Sequence, residues 1–268
     1  MNILFLGDIV GEPGRTAVIE YLAEVKALKL ADFIIVNGEN SAGGRGINPK
    51  IAIDLMRAGA AVITTGDHIW DQREITSYIA DEPRLLRPLN FGPDTPGQGS
   101  VVLETDFGKV GVINGMGRTF MNPPLENPFV ALEKESERMR ADGVKMIFVD
   151  FHAETTSESI AMGRHLDGKV SAVIGTHTHV ATADTRILPS GTAYQTDAGM
   201  CGPDNSVLGR AVDSVLWRFK TSLPTRFPIA KGPVRLCGVL ISVDEETGRA
   251  NTIERIDLLR GEGLETEG

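Results

Sequence analysis

Residues 3–40 read ILFLGDIVGEPGRTAVIEYLAEVKALKLADFIIVNGEN. Two short apolar runs, residues 3–6 and 33–36, bracket a stretch of different periodicity. Between positions 14 and 29, Val18, Ile19, Leu22, Val25 and Leu28 form one apolar stripe with polar residues opposite, which predicts an amphipathic helix. The flanking runs are continuous rather than alternating, as in strands covered on both faces. The chain therefore opens as strand, helix, strand.

The same pattern recurs downstream. Residues 61–65, 110–113, 146–151, 170–174 and 239–243 are further strand-like runs rich in β-branched residues. Helices are expected at 49–57, 129–141, 157–166 and 206–220; Asn48-Pro49 supplies the first with a cap and a proline at its first helical position. Strands alternating with helices predict an α/β layered fold. GPDTPGQG at 92–99 separates runs of the same kind, so one domain is expected over 1–268, ending in a frayed acidic tail, GEGLETEG. Loops 88–99, 114–128 and 221–233 are rich in Pro, Gly and Asn, and long loops in a compact domain are usually functional.

Composition narrows the function. With 27 Lys+Arg against 36 Asp+Glu the net charge is −9, and no basic track for a nucleic-acid backbone stands out, so stable nucleic-acid binding is not expected. Cys201 and Cys237 cannot form a disulfide framework, and the N-terminus carries no leader pattern, which favours a reducing cytoplasm. No apolar run approaches the roughly 18–20 residues of a membrane span, so no membrane partner is expected. A homo-oligomer is compatible with this composition.

Polar residues are concentrated where apolar runs end. LFLGD ends in Asp8, IIVNGEN in Glu39 and Asn40, VITTGDH in Asp67 and His68, IFVDFHAE contains His152, and AVIGTHTH ends in His177 and His179. Ligands of open α/β sheets bind beyond the carboxyl ends of the strands, so clusters distant in sequence are expected to converge. Singly, each has a plainer reading: Asp8 as a turn or helix cap, His177-x-His179 as chance, since alternate positions share a face only on extended chain. Together, imidazoles and carboxylates without thiolates suit Mn, Fe or Zn. Seven candidate ligands exceed one tetrahedral site and fit two ions, a pair that drives displacement at phosphorus. The glycines at 7, 11 and 14 lack the order of a dinucleotide fingerprint. His165 lies outside the clusters, and Arg15, Arg45 and Arg118 are ordinary solvated arginines on this reading.

GDIVGEPGR, NGENSAGGRG, TTGDHIWD, DFHAE, GTHTHV and TDAGMCGP resemble the YmdB-like branch of the calcineurin-type metallophosphoesterases. The resemblance implies a four-layer α/β/β/α sandwich, two divalent or mixed-valence ions (Fe or Mn, with Zn compatible) and hydrolysis of small phosphodiesters such as 2′,3′-cyclic nucleotides by a metal-bound hydroxide. It makes Asp8, Glu39, Asn40 and His179 ligands of one ion, with Glu39 bridging, and Asp67, His152 and His177 ligands of the other. His68 would assist the departing oxygen. Two departures stand out: Asp8 is not followed by the Asp-x-His imidazole, and Asp67 stands where the wider superfamily has asparagine. The extra charge of Asp67 predicts tighter metal binding and weaker attraction for phosphate. It also sustains an alternative, a regulatory protein that binds metal or nucleotide with little turnover.

Overall fold

The computed structural model describes residues 1–123 and 125–261; apart from Gly261, the expected acidic tail lies outside the described residues. The opening unit folds as its pattern dictates: β1 (Asn2–Leu6), a two-residue β2 (Asp8–Ile9), α1 (Gly11–Leu28) and β3 (Phe33–Asn37). β1 and β3 are parallel, with Ile3 opposite Phe33. Leu4 and Leu6 pack with Val18, Leu22 and Val25 of α1, whereas Ile3 and Phe5 point to the other face. α2 (Pro49–Ala58) is capped by Asn48, whose side chain accepts the Ile51 N–H at 3.0 Å, and β4 (Val62–Thr64) extends the parallel set.

A short helix, α3 (Ile75–Asp81), precedes an antiparallel hairpin of β5 (Ser100–Thr105) and β6 (Gly108–Met116). Then α4 (Pro128–Ala141), β7 (Met146–His152), α5 (Thr156–His165) and β8 (Ala172–Thr176) alternate, with β6, β7 and β8 parallel. Short strands β9 (Arg186–Ile187), β10 (Ala193–Gln195) and β11 (Met200–Pro203) lead to α6 (Val212–Thr221), followed by β12 (Val234–Val243) and β13 (Ala250–Arg260).

The result is a mixed α/β fold with two sheets. One runs β2-β11-β12-β1-β3-β4, with β13 on the other edge of β12; the second runs β5-β6-β7-β8-β10-β9. Among the described residues, three apolar clusters hold it together. Leu22, Leu55 and Ile63 belong to the first, on the α1 and α2 side of the larger sheet. Phe5, Ile35, Val112 and Phe148 join both sheets in the second, where the Phe5 and Phe148 rings lie 5.0 Å apart, a tilted contact of about 0.5–1.5 kcal/mol beyond burial. Ile147, Val149, Leu132 and Met162 form the third, beneath α4 and α5.

The helix expected over 206–220 begins only at Val212. Leu208 and Gly209 have φ of +51° and +85°, which no helix accommodates, and residues 206–210 close a turn in which the Gly209 N–H donates to the Ser206 hydroxyl. β13 carries no continuous apolar run: Ile253, Ile256, Leu258 and Leu259 are spaced by polar residues without strict alternation, and the strand pairs with β12 on one edge. Among the described residues no helix is long and apolar enough to cross a membrane.

Candidate metal centre

All five polar clusters lie at carboxyl ends of parallel strands, and both sheets contribute. Asp8 follows β1, Glu39 and Asn40 follow β3, and Asp67 and His68 follow β4; His152 ends β7, and His177 and His179 follow β8. Asp8, Glu39 and His152 are fully buried. Asp8 caps no helix, for α1 has no side-chain cap bond; its Oδ2 instead accepts the His177 N–H at 3.0 Å.

Nε2 of His152 is the point of convergence. Glu39 Oε2 lies 2.9 Å from it, His177 Nδ1 3.0 Å and Asp67 Oδ1 3.2 Å. One ring nitrogen carries at most one N–H, so it cannot satisfy three polar neighbours at once. Among the described residues, donor atoms gather in three groups, each within 4.8 Å: Asp67, His152 and His177; Asp8, Glu39 and His152; Glu39, Asp67 and His68. His179 stands outside these groups, its Nε2 3.0 Å from Nδ2 of Asn40.

The donor set fits divalent cations. Asp8 Oδ1 and Glu39 Oε2 are buried without a hydrogen-bond donor, the latter despite its ion-pair distance to His152. An unpaired buried acceptor costs about 1–3 kcal/mol, more when charged, so two such oxygens facing imidazoles call for a cation. Burial pushes the Glu39 carboxyl up to about 7. Burial opposes protonation of His152, yet Glu39 and Asp67 raise its pKa well above the ordinary imidazole value. Burial likewise works against ionised Asp67, but hydrogen bonds from His152 and His177 outweigh it and hold that carboxylate ionised. Close approach is possible only because residue 66 is glycine: a Cβ there would lie 1.8 Å from Glu39 Oε2 and 2.2 Å from the His152 ring.

Residues absent from the sequence-derived set support this cluster. Asp150 accepts from the hydroxyls of Thr64 and Thr176 and from Nδ2 of Asn37. With its proton committed to Asp150, the Thr176 hydroxyl offers a lone pair to Nδ1–H of His152 at 2.9 Å, so a cation that displaced the Nε2 proton would meet a lone pair aimed into the site. Burial raises the Asp150 pKa to about 6 and, with the Asp8 charge, that of Asp197 to about 7. Asp197 accepts the N–H groups of Thr178 and Gly199, tying down the histidine loop. Both aspartates occur inside the motifs DFHAE and TDAG, but nothing in their spacing distinguishes a supporting carboxylate from a ligand.

The pair His177-x-His179 is not aimed by extended chain, as its spacing suggested. Both residues lie beyond β8 with φ of +103° and +65°, and they serve different partners. Left-handed backbone at two non-glycine residues costs on the order of 1–3 kcal/mol each and persists only where surrounding bonds hold it, here those from Asp8 and Asp197. His68 borders the cluster: its N–H donates to Glu39 Oε1 at 3.1 Å, and Asp71 Oδ2 lies 3.2 Å from Nδ1. Burial lowers its pKa, against the pull of Asp67. Arg45 reaches the edge of the site, 3.5 Å from His68 Nδ1 and paired with Asp71, whereas Arg15 donates to the Ser41 carbonyl. The Arg118 N–H is held by Glu158, and His165 pairs with Glu133.

Known proteins share this sequence pattern and fold. The family described as YmdB-like protein matches residues 4–256. A 2′,3′-cyclic-nucleotide 2′-phosphodiesterase of Bacillus subtilis is 49% identical over 259 residues, covering 96% of each chain. Two crystal structures superpose over 97% of this chain. One, of a Thermus thermophilus protein described as hypothetical, gives a TM-score of 0.90 at 39% identity over 99% of its length. The other, a phosphatase from Mycoplasma pneumoniae, gives 0.91 at 37% over 93% of its length. The chain therefore belongs to the YmdB-like protein family and is a hydrolase.

Proposed function

We propose that this protein is a dinuclear metal-dependent phosphodiesterase acting on small phosphodiesters such as 2′,3′-cyclic nucleotides. The observation that carries the reading is the pair of buried, undonated oxygens of Asp8 and Glu39 set against His152 and His177. The activity named for the Bacillus subtilis relative supports the substrate class. Asp8, Glu39, Asn40 and His179 would hold one ion, and Asp67, His152 and His177 the other, with Glu39 between them. Fe or Mn suits these donors best, and Zn is compatible. Bound there, such ions supply Lewis acidity toward a phosphoryl oxygen and acidify a coordinated water.

The chain's own residues prepare that chemistry. The sequence Asp150, Thr176, His152 fixes the imidazole tautomer and ring orientation. Asp71, 3.2 Å from Nδ1, orients His68, which leaves its Nε2 to exchange a proton with the departing oxygen. We read the two sheets and three apolar clusters as the α/β/β/α sandwich of one domain, working in the cytoplasm. The test is metal analysis together with turnover of 2′,3′-cyclic AMP. Two equivalents of metal and turnover that disappears in Asp8→Ala are expected; metal binding without turnover in the wild-type protein would instead favour a regulatory role.

A further inference from the structure

The cavity beside the metal centre is larger than a phosphodiester group requires. Its volume is about 560 Å³, within the ~300–1,000 Å³ range of small organic ligands. His68, His177 and His179 line it, together with Leu208, Phe219 and Phe227 from the turn before α6, its last turn and the loop after it. Phe219 is 77% and Phe227 41% exposed.

This apolar wall is built into the site rather than draped over it. Arg210 donates from Nη1 to the Phe227 carbonyl at 3.0 Å and from Nη2 to the Gly44 carbonyl, locking the aromatic loop to the glycine-rich loop that follows Glu39 and Asn40. Nδ1–H of His179 reaches the Leu208 carbonyl at 3.4 Å. Uncovered aromatic faces within one cavity of a phosphate-directed cluster suit a planar ring joined to the phosphate through a sugar.

We propose that Leu208, Phe219 and Phe227 form a nucleobase subsite that takes the base of a nucleoside cyclic phosphate whose phosphodiester lies at the histidines. The proposal rests on the phosphodiesterase reading and deepens it. Stacking needs only a π-face, and Arg210, which lines the cavity beside these residues, is engaged with backbone carbonyls. The subsite therefore demands a base but tolerates purine and pyrimidine alike.

The test is the ratio of kcat/KM for 2′,3′-cyclic AMP to that for ribose 2,3-cyclic phosphate, which has no base, measured with Mn²⁺-loaded protein. Calorimetric binding of adenosine 3′-phosphate against ribose 3-phosphate gives a readout independent of turnover. In the wild type the nucleotide is favoured, cyclic UMP behaves like cyclic AMP within a few-fold, and Phe219→Ala or Phe227→Ala lowers the ratio by roughly 5- to 150-fold, the range of one base–aromatic stack. Trp217→Ala, on the same helix but not in the cavity wall, leaves the ratio in place. A ratio near one in the wild type, or one unmoved in both phenylalanine variants, overturns the subsite. So does a changed oligomeric state in Phe219→Ala with the ratio intact, for the wall would then be a contact between copies. Turnover of neither substrate by the wild type defeats the phosphodiesterase reading instead, and weaker adenosine 3′-phosphate binding by Phe219→Ala would still sustain the subsite.

Discussion

Replacing Thr176 by valine removes one hydroxyl at nearly constant volume and breaks the chain from Asp150 to His152 at its middle. Nδ1–H of His152, whose side chain is fully buried, loses its acceptor at 2.9 Å, and Asp150 loses one of three donors. Leaving a buried polar group unpaired costs about 1–3 kcal/mol, and Asp150 keeps two of its three donors, so the fold should lose roughly 1–3 kcal/mol. His152 also becomes free to turn its proton toward Nε2, the atom that must offer a lone pair. Loss of such a supporting partner typically weakens metal affinity or activity by about 10- to 100-fold. Thr64→Val separates the two effects, because Thr64 donates to Asp150 but does not touch His152. Metal content after dialysis against a buffered Mn²⁺ series, with thermal melts alongside, reads both. Thr176→Val is expected to lose stability and metal affinity, Thr64→Val chiefly stability. Metal affinity in Thr176→Val within twofold of wild type, or an equal loss in Thr64→Val, would refute the role given to Thr176.

Gly66→Ala should abolish stable metal loading even if the chain folds, because its Cβ would displace Glu39 and His152 together; full occupancy in that variant would show that the loop yields. Asp67→Asn removes one negative charge beside His152 and His177, so metal retention on dialysis should weaken while KM for an anionic substrate falls. Chelated protein should melt at a lower temperature at pH 8 than at pH 6. The buried carboxyls of Glu39, Asp150 and Asp197 are raised from 4.5, 3.8 and 3.8 to about 7, 6 and 7, and His152 is raised as well; groups raised on folding contribute stability at low pH that is lost as pH climbs through the folded value. Asp67, lowered on folding, is ionised throughout that window and adds no slope; His68 and His179, also lowered, work against the trend near pH 6 but are outnumbered by the four raised groups. Metal saturation at 100 times Kd should return about 2.7 kcal/mol, seen as a higher melting temperature; a chelated protein that gains stability from pH 6 to 8 contradicts the scheme.

Much of this protein is legible in one dimension. Continuous β-branched runs and the stripe over 14–29 marked the central strands and first helix, because burial on two faces or one leaves a periodicity that survives in one dimension. The same logic located Asp8, Glu39, Asp67, His152 and His177, since a polar residue directly after a buried run must sit at a strand end. Strand β13, the helix start at Val212 and short α3 were not legible, for their boundaries depend on one-sided pairing and on left-handed turns. Tertiary structure alone decided which oxygens remain undonated, that Thr176 and Asp150 set the His152 tautomer, and that two left-handed histidines diverge to separate partners. Those facts depend on distances of about 3 Å between residues up to 169 positions apart, and only the packing of one sheet against the other fixes such distances.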